Sequence, residues 1–97
     1  TADGELSVNS SEPTLLANYP NPFNAETVIQ FHLPEAQRVR LRVYAITGAI
    51  ISELVDETLP AGTHAVTWKG SHYASGVYLY TLEAGRYRNT RKLTLLK

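Results

Sequence analysis

From Leu15 onward apolar and polar residues alternate in short runs broken by Gly and Pro. That is the pattern of half-buried β-strands. Thr27 to Leu33 sets Ile29, Phe31 and Leu33 on one face and Val28, Gln30 and His32 on the other, and Pro34 stops it. Val39 to Ala45 sends Val39, Leu41 and Val43 inward and Arg38, Arg40 and Arg42 outward, a partition no helix would keep. Thr47-Gly48 reverses the chain into a strand at Ile50 to Leu54, and Leu59-Pro60-Ala61-Gly62 suits a turn with Pro second and Gly fourth. His64, Val66 and Trp68 alternate in the next strand, which ends at Gly70. In Val77 to Glu83 the inward face is Tyr78, Tyr80 and Leu82, because the opposite parity ends in Thr81 and Glu83. A hairpin at Glu83 to Arg86 leads into the last strand, Tyr87 to Leu96, with Leu93 and Leu95 inward.

With Leu15 to Tyr19 counted, seven strands follow one another about every ten residues, which predicts an all-β, seven-stranded antiparallel immunoglobulin-like sandwich. A small open barrel is the alternative. The expected core of the sandwich is Ile29, Phe31, Val39, Leu41, Val43, Val66, Trp68, Tyr78, Leu93 and Leu95. Residues 1–14 are small and polar and read as a linker, so the domain is placed at 15–97 and any processing site at Thr1 to Pro13. The 97 residues suit one domain, and with neither an initiator Met nor a signal segment they read as a piece of a longer protein.

The absence of Cys excludes thiolate chemistry, Cys-ligated zinc and disulfides, and no apolar run approaches the ~20 residues of a spanning helix. No membrane span is expected. Net charge is zero but unevenly placed. Asp3, Glu5, Glu12, Glu26 and Glu35 face no base in residues 1–35, and Arg86, Arg88, Arg91, Lys92 and Lys97 face no acid in residues 86–97. Either these segments attract each other in the fold, which is the simpler reading, or the basic tail meets an acidic partner.

Chemistry is sparse. His32, His64 and His72 lack a metal-ligand spacing, so neither a metal nor another cofactor is expected. Ser71, His72 and Ser75 lie in a Gly-bounded loop without the strand-turn-helix setting of a nucleophile elbow, and Asp56-Glu57 reads as a solvated turn. No catalytic residue is assigned. Isolated glycines cradle no phosphate, and a pI near 6.8 opposes nucleic acid as a partner, leaving Arg38, Arg40 and Arg42 as protection for a sheet edge. Tyr19, Tyr73 and Tyr87 could form a sugar platform, although partial burial with bonded hydroxyls is the simpler account. Asn9-Ser10-Ser11 matches a glycosylation triplet that is common by chance.

One run is unusual: Leu16-Ala17-Asn18-Tyr19-Pro20-Asn21-Pro22-Phe23-Asn24, whose two prolines make Tyr19 to Phe23 a rigid corner rather than a ladder. With Val43 to Gly48, Ala61 to Trp68, Ser75-Gly76-Val77-Tyr78 and the closing Lys92 to Lys97, it resembles the type A C-terminal sorting domain of the type IX secretion system of Bacteroidetes-like bacteria. The resemblance covers Leu15 to Lys97. It implies a non-catalytic module, borne by a larger N-terminal cargo such as a hydrolase or adhesin. The module would meet outer-membrane secretion machinery, with a sortase-like peptidase as a further partner. The cargo would reach the exterior or cell surface through the periplasm and outer membrane of a Gram-negative bacterium. The family's Gly-x-Tyr falls on Gly76 and Tyr78, and its basic tail on Arg91, Lys92 and Lys97; the implied binding set also takes in Leu93, Thr94, Leu95 and Leu96. Ala45 departs from the pattern, where the family often has Asp closing a turn. The same skeleton resembles the immunoglobulin-like domain of the flagellar hook-capping protein, and an accessory carbohydrate-binding sandwich of a secreted hydrolase is the third possibility. On physical grounds the last strand offers a backbone edge to a partner sheet and cations that steer encounter.

Overall fold

The computed structural model describes residues 12–97. Seven strands form two antiparallel sheets: β1 (Thr14–Leu15), β2 (Glu26–Leu33), β3 (Gln37–Ala45), β4 (Ile50–Leu59), β5 (Gly62–Lys69), β6 (Gly76–Ala84) and β7 (Tyr87–Leu95). One sheet runs β1-β2-β5 and the other β4-β3-β6-β7. The chain therefore changes sheet between β2 and β3, between β4 and β5, and between β5 and β6, the Greek-key connectivity of an immunoglobulin-like sandwich. The tight turn at Pro60-Ala61 is one of these crossings rather than a hairpin, since β4 pairs with β3 and β5 with β2.

Alternation sets the core. Ile29, Phe31 and Leu33 meet Val39, Leu41 and Val43 and the β6–β7 residues Tyr80, Leu82, Leu93 and Leu95, all without exposed surface. Leu15, Phe23, Val55 and Ala84 join them beyond the residues that alternation selected. Val66 and Tyr78 are only half-buried. Val66 lies on β5, the edge of the narrower sheet, so one flank of its side chain stays open. The packed body also takes in Pro13 and Thr14, two residues of the segment read as linker. Residues 1–11, with the glycosylation triplet and most of the expected processing segment, lie outside the described residues.

Three local expectations are corrected. The strand at Leu15 to Tyr19 shrinks to Thr14–Leu15 plus one bridge from Tyr19 to Val28, because the three residues Leu16 to Asn18 oppose only Ile29 and Gln30 of β2 and the ladder loses its register. β4 continues past Leu54 through Asp56 and Glu57, which pair with Arg40 and Val39 and so are strand residues, not a turn. Arg38, Arg40 and Arg42 line the outer face of a central strand rather than an edge. There they are answered by acids: Arg38 to Asp56 at 2.6 Å, Arg42 to Glu53 at 2.8 Å, and Arg40 between Glu53, Asp56 and Glu83 at 3.8–4.0 Å. The Arg38 hydrogen bond, helped by the positive field of all three arginines, holds the Asp56 carboxyl below its ordinary range. Among the described residues no ion pair joins residues 12–35 to residues 86–97, so the simpler reading of the charge asymmetry gains no contact there. The Asp absent at Ala45 is replaced by backbone bonding: Ala45 N–H donates to Ala49 O, and Gly48 N–H to Ala45 O, both at 2.8 Å.

Tyr80 is fully buried, and its hydroxyl donates to Leu16 O at 2.9 Å. Burial pushes the phenol pKa up, partly offset by the Asn18 backbone and Arg91. An unfolded tyrosine ionises near pH 10, so above that the unfolded chain binds fewer protons than the native one. The stability held by Tyr80 is therefore complete below about pH 10 and is lost as pH rises through the folded value. Comparing urea midpoints at about pH 8 and about pH 11, Tyr80→Phe is expected to show a smaller alkaline decline than the unsubstituted chain. An equal decline in both would remove Tyr80 as a source.

Candidate recognition site at the last strand

The proline corner holds both sheets. On one side Tyr19 exchanges two backbone hydrogen bonds with Val28 of β2, each 2.9 Å, and buried Asn18 donates to Thr27 Oγ1 at 3.0 Å. Thr27 Oγ1 in turn donates to Pro20 O at 2.8 Å. The Tyr19–Pro20 and Asn21–Pro22 peptide bonds are both cis. The chain then crosses to β7. Phe23 N–H donates to Thr94 O at 3.0 Å, Leu96 N–H donates to Phe23 O at 2.8 Å, and Thr94 N–H donates to Asn21 Oδ1 at 3.0 Å. Phe23 thus pairs in parallel with Leu95, and the corner covers the outer edge of the last strand over Thr94 to Leu96. This corrects the expectation of an open backbone edge there: a partner strand would have to displace the corner. The basic half of β7 is tied to β1 as well, since Arg91 Nε donates to Leu15 O at 3.1 Å and Tyr87 Oη accepts from Leu15 N–H at 3.1 Å.

An aromatic cluster backs this junction. Trp68 lies edge-on to Phe23 at 5.7 Å and to Tyr78 at 5.6 Å, and stacks on Tyr73 at 5.3 Å. Gly70 is buried where a methyl group would come within 3.2 Å of both Leu95 and Phe23, so the strand end and the corner close over a position without a side chain. Tyr78 Oη donates to Ala74 O and Tyr73 Oη to Ile51 O, which fixes the loop from Gly70 to Ser75 against the cluster. Lys97 is fastened to that loop too, its N–H on Ser75 Oγ and its ammonium on Ser71 O.

The residues assigned from sequence therefore come together, in different roles. Leu93 and Leu95 are wholly buried and Tyr78 is half-buried, while Gly76 opposes Leu95 with φ near 154°, where side chains are disfavoured. Exposed surface is left to Arg91, Lys92, Leu96 and Lys97, with Thr94 partly so. Among the described residues Lys92 makes no side-chain hydrogen bond or ion pair, whereas the Arg91 guanidinium and the Lys97 ammonium each donate to a backbone carbonyl. Sequence reasoning marked the corner as rigid but missed Asn21 and Phe23 as parts of the strand end. The only signal was their place in the proline run.

The other candidates stay apart. Ser75 and Ser71 hold Lys97, and His72 is exposed on the same loop. His64 stacks on Phe31 at 5.4 Å with Nε2 2.8 Å from Pro60 O, and His32 lies against Thr63. Among the described residues no three His, Asp or Glu side chains gather as a metal site would require, and no helix is long and apolar enough to cross a membrane. Of the three tyrosines considered as a sugar platform, Tyr73 and Tyr87 use their hydroxyls internally and only Tyr19 is widely exposed.

A family model described as the secretion system C-terminal sorting domain matches residues 17–96, from the corner to the last strand. The chain belongs to the type IX secretion C-terminal sorting domain family. Membership gives this sorting domain a role in secretion, with the secretion machinery and an attached cargo as the interactions it implies. It also implies a secreted or cell-surface cargo in Gram-negative bacteria. No curated protein and no solved structure matches the chain.

Proposed function

We propose that this sorting domain is a non-catalytic address that directs a larger N-terminal cargo through an outer-membrane translocon, and that the address is the junction of corner and last strand. The observation that carries the reading is the bonding of Asn21 and Phe23 to Thr94 and Leu96, which makes two segments far apart in sequence one rigid surface. Rigidity matters because a surface ordered before binding loses little entropy on capture. Arg91, Lys92 and Lys97 steer encounter, and Lys92, Thr94 and Leu96 project from the strand. A sortase-like peptidase acts afterwards on the polar segment before the sandwich. Arg91, Lys92, Leu93, Thr94, Leu95, Leu96, Lys97, Gly76 and Tyr78 divide accordingly, with the buried members shaping the strand and the exposed ones touching the partner.

The test is delivery of a reporter fused ahead of the 97-residue chain. In a host with a type IX system the reporter is expected at the cell surface, and in the same host lacking its outer-membrane translocon it is expected in the periplasm. Periplasmic retention in the competent host would overturn the proposal.

A further inference from the structure

The outer face of the four-stranded sheet is divided in two. Strand register places Asp56, Arg40, Glu83 and Arg88 in one cross-strand row, and Glu53, Arg42, Thr81 and Thr90 in the next. These charges answer one another within the sheet. The following row reads Ile50, Tyr44, Leu79 and Lys92, and beyond it Val77 opposes Thr94. Ile46 and Ile50 flank the turn between β3 and β4, and Leu96 follows β7 at the same end. Ile46 (66% exposed), Ile50 (55%), Leu96 (53%) and Val77 (38%) thus gather at one end of one face. The remaining widely exposed large apolar residue among those described is Tyr19, on the corner. Single exposed apolar side chains are ordinary, but a contiguous group bordered by polar residues marks a contact surface.

We propose that this apolar end of the sheet is the docking face for a partner protein whose own contact surface is apolar and carries a carboxylate placed to meet Lys92. The proposal rests on the sorting reading, since it extends the address from the last strand across the outer face of the same sheet to the turn between β3 and β4. Charge complementarity selects the occupant. The arginines of the charged half already have acids, whereas Lys92 borders the apolar half with no acid partner among the described residues. A second copy docked face to face by two-fold symmetry would bring like surfaces together and give Lys92 no carboxylate. A lipid surface would gain only about 1 kcal/mol from a single lysine.

The experiment substitutes Ile46→Ser, Ile50→Ser and Val77→Thr together in the reporter fusion, with Ala65→Ser, exposed on β5 of the other sheet and away from the corner, as control. The urea midpoint of the purified chain verifies folding, and if the triple variant is unfolded, Ile46→Ser alone is read instead. Surface delivery is expected to fall about tenfold with the fold intact, as loss of apolar contacts at the centre of an interface produces. The control is expected to deliver normally. Normal delivery by the folded triple variant overturns the docking face while leaving the sorting reading standing, whereas failure of the unsubstituted chain to deliver overturns both. Three further outcomes also overturn it, each by assigning the face to another occupant. The first is a concentration-dependent dimer in sedimentation that the same substitutions abolish. The second is co-sedimentation with phosphatidylethanolamine–phosphatidylglycerol vesicles that they abolish. The third is a photoreactive residue at Ile46 that crosslinks only to the fused reporter.

Discussion

Replacing Trp68 with alanine is expected to cost about 3–5 kcal/mol, the range for deleting a buried large aromatic. Trp68 is 2% exposed and meets Phe23, Tyr73 and Tyr78 on three sides. Its removal leaves a void that none of them can fill without breaking its own bonds. Small domains hold roughly 5–15 kcal/mol in all, so the variant loses a large share of its stability and its urea midpoint should fall accordingly. Trp68 is the single tryptophan, so its loss removes the convenient fluorescence probe and the urea transition must be followed by far-ultraviolet circular dichroism. A loss below about 1 kcal/mol would contradict the packing described, because buried aromatic truncations do not cost so little.

Phe23→Ala is expected to cost a similar ~3–5 kcal/mol, with a different distribution over the molecule. Phe23 is 2% exposed and anchors the corner twice, by its ring against Trp68 and by its backbone on Thr94 and Leu96. Without the ring the corner is held to β7 only by hydrogen bonds, those of the residue 23 backbone and of Asn21, so it should open before the sandwich does. Amide exchange distinguishes this from global loosening. Protection at residue 23 and at Leu96 should fall further than protection at Leu41 and Val43 in the centre of β3. Equal loss at all four would mean that the corner and the sandwich open as one unit.

Both variants probe what was least legible in the sequence. β2 and β3 could be read because one face of each is wholly buried, so a strict period of two survives in Ile29-Phe31-Leu33 and Val39-Leu41-Val43. Two register shifts, opposite Leu41/Arg42 and Val43/Tyr44 of β3, leave Leu54 and Ile51 of β4 without a partner and break that period, so the strand read from sequence ends early. Edge or centre is a matter of long-range pairing, so the row of outward arginines on β3 could be recognised but not placed. Phe23 is one aromatic in a proline run with no periodicity to mark it as core. The site divides in the same way: the cations of the last strand stand out as charge, while the bond from Asn21 to Thr94 joins residues 73 positions apart and has no local signature.

The claim that the junction of corner and last strand is read through its exposed side chains is tested most directly at Lys92. Arg91 and Lys97 are less suitable, because each donates to a backbone carbonyl and reversal would disturb the fold as well as the charge. Lys92→Glu and Lys69→Glu make the same change of charge at two exposed positions, one at the junction and one on the other sheet. Each should shift stability by less than about half a kcal/mol. Surface delivery of the fused reporter is the measurement: Lys69→Glu should be delivered normally while Lys92→Glu accumulates in the periplasm as folded protein. Equal delivery of the two variants would contradict the account.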